Sequence, residues 1–458
     1  LPPLLPRAAV WWPGAPNGNP VLRARVKLLC LSVLVGLWPA FGQAQALVLD
    51  EEFNQFSQTL AKPLRPSLVP NRQVHYVLVN DPAINAFVTP ENLVYLHSGL
   101  VLQAKSAAEL QGVIAHELGH LAAGHLTTRD IATRNALIPA LAGAVLGVGA
   151  AVAGAPQVAV AAAMGGQALG IQSFLNYSRV QEGEADQRAL QALHAAGLSG
   201  AGMTGLFTTL RTQSQLSYDT PPPWLITHPL PAERLARLTA SVAEETPKLQ
   251  TTSHAQEIKL NWPRLQAKVA ALTLAPAAVL RRYPGNAPEA RYARSLALLR
   301  QGKLAEAQAL LTPLRQTAPA DPYYTEAAAQ VALAQGDLPA AAKLLQQALA
   351  QVPNGLLLRF QLAEMLRAQG QPQAAAREYQ TITRAWPIWS EPWEGLGRTL
   401  GQQGQLAPSH LALAEAALAN GDVVRAKLSL ALAQNYLKQT PNSDAQAWAE
   451  GLQNRLKN

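Results

Sequence analysis

Cysteine is almost missing from this chain, with one residue, Cys30, in 458. No second thiol exists to pair with it, so no disulfide framework holds the fold. Charge is thin as well, at 14% of residues, while 49% are hydrophobic and only 6% aromatic. The apolar weight therefore comes from Ala and Leu, a composition of helices. Long Leu- and Ile-rich runs of the kind that several membrane spans require are missing, which excludes an intramembrane enzyme. A basic run is missing too. Lys and Arg outnumber Asp and Glu by 37 to 29, for a net charge of +8, but they are scattered, and this argues against nucleic acid as a partner. At this length one ordinary core does not suffice, and two or three domains are expected.

No Met precedes Met164, and the chain starts at Leu1. The first signal lies further in. Arg23, Arg25 and Lys27 precede the apolar run "LLCLSVLVGLWPAFG", and Ala44-Gln45-Ala46 follows it as a small-x-small site, the pattern of an export signal. Residues 1–46 are read as an upstream extension followed by an export signal that starts near Val21 and is cleaved after Ala46. An uncleaved membrane anchor is the alternative. Cleavage removes Cys30 and predicts a periplasmic chain, with membrane association left open.

Residues 47–245 read as a mixed domain. "VHYVLVN" and "NLVYLHSGL" are strand text, rich in β-branched and aromatic residues and bounded by Asn, Pro and Gly. Helical text takes over at Ala107. Residues 135–178 contain no charge at all. They read either as a buried or mobile Ala/Gly-rich helical loop or as a hairpin in peripheral contact with a membrane. Because they join the two helices that carry the candidate site, they are expected to border it as a lid.

Residues 246–284 read as a helical linker or a first irregular repeat, and residues 285–458 repeat openly. Gly302, Gly336, Gly370 and Gly404 sit 34 residues apart in "QGKL", "QGDL", "QGQP" and "QGQL", and Pro319, Pro353 and Pro387 keep the same interval. Gly between two helical runs and Pro closing the unit resembles the tetratricopeptide repeat. The small residues Ala307, Ala341 and Ala375 suit close helix packing after each turn. Near Gly421 the spacing breaks, which predicts an irregular last repeat and a capping helix. The whole is a solenoid whose concave face is a binding surface.

The chemistry is concentrated in "VIAHELGHLAAGH". On a helix His116 and His120 share one face and can bind one zinc. Glu117 then stands beside the open position, where its carboxylate can take a proton from the activated water and pass it to the leaving amine. His125, nine residues past His116, projects about 180° away on a continuous helix and reads as structural. Metzincin spacing is not met, since it needs the third His six residues after the second. The third ligand is therefore sought on a later helix, in "SRVQEGEADQRAL". Glu182 and Asp186 share a face there, so Glu182 can bind zinc while Asp186 accepts a hydrogen bond from the free ring nitrogen of a ligating His. Glu184 is the weaker candidate. The apolar setting of the motif favours metal over two solvated histidines, because unpaired ionisable groups in a buried helix are costly.

"HELGHLAAGH", "SRVQEGEAD" and the later "THPLPAERL" together resemble the gluzincin family that contains the CAAX prenyl proteases, HtpX and Oma, over roughly Leu47 to Ala243. The resemblance implies one zinc per chain on His116, His120 and Glu182, with Glu117 as base. An export signal and C-terminal repeats further resemble the envelope branch of that family, implying quality control of outer-membrane proteins. The expected partners are unfolded or stalled envelope proteins and, through the repeats, the outer-membrane assembly machinery. In this family an HP segment six residues before an Arg, here His228 and Arg234, lies near the active site. His228 can then stabilise the oxyanion or fill the fourth zinc position and keep the enzyme latent. "NDPAINAFVTPENLVYLHSGL" matches the family's strand segment, so Asn85, Ala86 and Phe87 are candidates for an edge that pairs with extended substrate.

The expected fold is thus mainly α: an α+β zincin-type metallopeptidase domain with a small sheet, followed by an all-α tetratricopeptide-repeat solenoid. The expected activity is zinc-dependent endoproteolysis. A chaperone or adaptor module with latent or secondary protease activity is the alternative.

Overall fold

A computed structural model describes residues 46–125, 179–216, 224–225, 228–244 and 253–457. The export signal and the uncharged stretch 135–178 lie outside the described residues. The chain divides into two compact units, one of residues 53–269 and the other of residues 270–458 with those up to Glu52. Among the described residues no helix is long and apolar enough to cross a membrane.

The first unit is built on a small sheet and the helix that follows it. Strand β1 (Ala46–Val48) falls in the second unit; the first carries β2 (His75–Asn80), β3 (Ala86–Val88) and β4 (Leu93–His97), in the order β2-β4-β3. β2 and β4 run parallel, with Val77 opposite Tyr95, and β3 returns antiparallel to β4, with Phe87 opposite Tyr95. All five residues of β4 are buried. A strand covered on both faces needs such a continuous apolar run. Among the described residues β3 is the last strand on its side, and the Phe87 ring stacks on Tyr95 at 4.7 Å between centroids.

The strand text of "NLVYLHSGL" ends earlier than its composition suggests. β4 stops at His97, and Ser98–Gln103 is a helix. The turn is tight enough that a Cβ on Gly99 would lie 2.0 Å from the Pro82 carbonyl oxygen. The backbone there is held by Asp81, whose carbonyl accepts from both the Gly99 N–H and the Ser98 hydroxyl. Tertiary contact, which residue type does not encode, ends the strand.

Helix α1 (Glu51–Ala61) precedes β2, and the long buried helix α2 (Ala107–Ala123) follows the sheet. α2 starts where Ser106 caps it, its Oγ accepting from the Glu109 N–H, while the Glu109 carboxylate reaches back to the Lys105 N–H. This reciprocal satisfaction of free N–H groups fixes the first turn. The helix ends at Gly124, at φ 70°, whose N–H closes on the His120 and Leu121 carbonyls. Only a residue without a Cβ takes that left-handed turn cheaply. Gln111 ties α2 to the end of α1 by donating to the Leu60 carbonyl.

Two further helices, α3 (residues 179–195) and α4 (Ala201–Leu216), approach α2 on its glycine positions. A Cβ on Gly112 would lie 2.6 Å from Met203 Cα in α4, and one on Gly119 would lie 2.7 Å from the Ala185 carbonyl oxygen in α3. Backbone therefore meets backbone where the motif helix crosses its neighbours. Helix α5 (Ala232–Ala243) then packs against α4, and helix Ser253–Thr273 is held by Gln266, which donates to the Val101 and Ala104 carbonyls.

In the second unit the helix pairs begin at Pro288, Pro322, Leu356 and Ser390, and the spacing of these starts is the 34-residue period of the sequence. Gly302, Gly336, Gly370 and Gly404 all have φ between 72° and 84°. Their recurrence is the recurrence of one left-handed turn. Pro319, Pro353 and Pro387 lie in the turns between pairs, and Ala307, Ala341 and Ala375 are buried. After Gly421 come helices Val423–Gln439 and Ser443–Arg455. The last closes the array through Ala445, Ala449 and Leu452 against Leu411, Leu430 and Ala433.

Gly119→Ala is expected to destabilise the first unit by about 1–3 kcal/mol, because neither backbone can give way to the added methyl without parting α2 from α3. The urea midpoint measures this; an unchanged midpoint contradicts so close an approach.

Candidate metal centre

Four side chains from three segments converge on one point. His116 and His120 come from α2, Glu182 from α3, and His228 from the segment ahead of α5; one ligand atom from each lies within 4.8 Å of the other three. His116 Nε2 is 3.1 Å from His120 Nε2. Glu182 Oε2 lies 3.3 Å from His116 Nε2, and its Oε1 lies 3.3 Å from His120 Nε2. His228 Nδ1 is 3.1 Å from Glu182 Oε1 and 3.4 Å from His116 Nε2. All four side chains are buried. Glu117, on the same helix, is 1% exposed, with Oε1 3.7 Å from His228 Nε2. His228 thus spans from the ligand group to the carboxylate expected to act as base.

The surroundings fix the orientation of these groups. Asp186 Oδ1 is 3.0 Å from His116 Nδ1, so a carboxylate faces the ring nitrogen turned away from the cluster. Trp224 stacks on His228 at 4.2 Å with 28° between planes. Phe207 meets His116 edge-on at 5.9 Å. Arg234, near the start of α5, donates twice to Asp186, at 2.5 and 2.7 Å, reaches Glu182 Oε2 at 3.0 Å and donates to the Pro229 carbonyl at 2.8 Å. One guanidinium therefore locks the carboxylates of α3 to the turn that presents His228.

The electrostatics follow from this arrangement. Burial pushes the Glu182 carboxyl up, but the charge and hydrogen bonds of His228, His116 and His120 hold it well below the usual range. Burial also raises Asp186, and hydrogen bonds from Arg234 and His116 hold it down. His116 is depressed by burial, yet Asp186 and Glu182 lift it to about 9. His120 is pushed by burial to about 3, with only partial relief from Glu182. The carboxylates of Glu117, Glu182 and Asp186 and the Arg234 guanidinium are all buried. A divalent cation on the imidazole nitrogens would take the place of the proton that His116 otherwise holds among these carboxylates. The donor set of three imidazoles and one carboxylate, with a carboxylate behind one ring, suits zinc.

Sequence reasoning named His116, Glu117, His120, Glu182, Asp186 and His228, and the structure brings these six together. Ala86 and Phe87 lie in β3 and Asn85 just before it; among the described residues β3 is the edge strand, and it packs against α2. Glu184 points elsewhere, to His125 and Arg188. The clamp role of Arg234 was not anticipated. It pairs with Asp186 across 48 residues, and the only local sign is its fixed distance from the His228–Pro229 turn.

Residues 50–242 match Peptidase family M48, and residues 332–387 match a tetratricopeptide repeat. The protein is a metallopeptidase that carries an M48 peptidase domain followed by tetratricopeptide repeats. It is homologous to the beta-barrel assembly-enhancing protease of Yersinia pestis, at 29% identity over 388 residues, which is 83% of this chain and 79% of the relative. The protein of the same name from Escherichia coli strain K12 is 29% identical over 307 residues, 66% of this chain and 62% of the relative. The metalloprotease YcaL of that strain is 31% identical over 156 residues, 33% of this chain and 58% of the relative.

Arg234→Leu is expected to cost about 3–5 kcal/mol, since it leaves two buried carboxylates without their cation. A urea titration that places the variant's midpoint with the wild type would show that Arg234 carries no such load.

Proposed function

We propose that the protein is a zinc-dependent endopeptidase of the periplasm that cleaves unfolded or stalled envelope proteins during outer-membrane assembly. The observation that carries this is the buried convergence of His116, His120, Glu182 and His228 beside Glu117. The names of the relatives, proteases that enhance β-barrel assembly, support the cellular setting. The export signal read in residues 1–46 supports the compartment. The residues fit zinc by donor type, by burial and by the carboxylate behind the His116 ring. When bound, zinc supplies a Lewis acid that makes water acidic enough to deprotonate near neutral pH.

The chain's own groups do the rest. Glu117 takes the proton of the attacking water and delivers it to the departing amine. Asp186 holds the His116 ring, and Arg234 holds Asp186 and Glu182, so the ligands do not reorganise during the reaction. The outer edge of β3 offers backbone N–H and C=O groups to an extended substrate, placing Asn85, Ala86 and Phe87 along its path with little side-chain selectivity. The repeats recruit the substrate or the assembly machinery through their concave face.

His228 favours a second reading. Its Nδ1 stands within the ligand group rather than behind it, which suits a fourth ligand that closes the site. The resting protein is then a binding or chaperone module whose proteolysis is held latent.

Glu117→Gln is expected to abolish cleavage of an unfolded protein substrate while zinc content, fold and partner binding stay near wild type; residual cleavage above about a hundredth of wild type would remove Glu117 from the base role. His228→Ala is expected to raise basal cleavage if the ring is an inhibitory ligand and to abolish it if the ring stabilises the oxyanion. Unchanged turnover contradicts both roles.

A further inference from the structure

The second histidine of the motif is held by a residue that helical projection sets aside. His120 turns Nε2 toward His116 and Glu182, and its other nitrogen, Nδ1, lies 2.9 Å from Nδ1 of His125. His125 is itself buried, and its Nε2 lies 3.2 Å from Glu184 Oε2. Glu184 Oε1 in turn accepts two hydrogen bonds from Arg188, at 2.8 and 3.0 Å. A continuous helix would carry His125 away from this ring. The left-handed turn at Gly124 ends α2 one residue earlier and swings His125 back over the last turn.

We propose that His125, backed by Glu184 and Arg188, is the positioning residue for His120, fixing the tautomer and ring angle at which His120 binds metal. A ring nitrogen that holds a cation carries no proton, so the proton of neutral His120 sits on Nδ1 and is donated to His125 Nδ1. His125 Nδ1 is then the acceptor, its proton sits on Nε2, and it donates to Glu184. The polarity of the whole chain is set at one end by the ligand and at the other by Arg188. His116 and His120 are consequently held in different ways. His116 faces the carboxylate of Asp186 directly, whereas His120 meets a neutral imidazole with a carboxylate one step further out.

This inference rests on the metal reading above, and the experiment separates the two. The intact protein is titrated with zinc against a chromophoric chelator, and its cobalt(II) form is examined by visible absorption. His125→Phe keeps the ring volume and removes both hydrogen bonds; about 10–100-fold weaker zinc binding is expected, with a shifted cobalt band. His125→Gln keeps one acceptor and one donor, so it is expected to bring affinity back to within about threefold and to restore the band. Glu184→Ala changes a half-exposed side chain and tests the relay with little threat to folding. It is expected to weaken zinc in the same direction by a smaller factor. Wild-type affinity in folded His125→Phe or in Glu184→Ala overturns the inference, as does Gln performing no better than Phe. A wild-type protein that binds no zinc overturns the metal reading, and this inference with it.

Discussion

The peptidase unit depends on one electrostatic constraint: the buried carboxylates of Glu182 and Asp186 are held between the Arg234 guanidinium and the imidazoles of His116, His120 and His228. Each buried carboxylate must be paired or it protonates or unfolds the site. Arg234 and the histidines share oxygens of these carboxylates: Asp186 Oδ1 meets both Arg234 and His116, and Glu182 Oε2 meets Arg234, His116 and His228. The carboxylate charge is thereby concentrated at the point where His116, His120 and His228 converge. A site assembled this way offers donors that could hold a divalent metal, and it explains why so many ionisable groups occur in otherwise apolar helix text.

Geometry of this kind requires helices closer than ordinary side chains allow. Gly112 and Gly119 sit two helical turns apart on α2, one against α4 and the other against α3. Gly112 ahead of the motif and Gly119 within it are therefore contact surfaces. Glu182 reaches both histidines because the Gly119 contact brings α3 to backbone distance. The repeats solve a different problem with the same residue. There glycine supplies a left-handed turn every 34 residues, and alanine supplies the packing.

Much of this was legible in the sequence because it is local or periodic. The repeat register follows from counting Gly302 to Gly404 and Pro319 to Pro387, and the start of α2 at Ala107 follows from the shift in composition. His116 and His120 are paired by helical spacing alone. Glu182 needed a motif on a second helix. What stayed hidden depends on contacts between distant residues or on a break in regularity. Arg234 meets Asp186 across 48 residues, and no local rule couples them. The strand at Leu93 ends at His97 because Asp81 captures the backbone of the next turn. His125 was set aside because the projection assumed that the helix ran on, whereas Gly124 stops it; a glycine before a histidine at a helix end was the available sign.

The central claim is that the buried negative cluster is a zinc site with Glu182 as a ligand. Metal analysis of purified residues 47–458, folded and never exposed to chelator, tests it most directly, in the wild type and in Glu182→Ala. The account predicts about one zinc per wild-type chain and far less in the variant. A folded wild type without zinc, or a variant that retains all of it, would contradict the account.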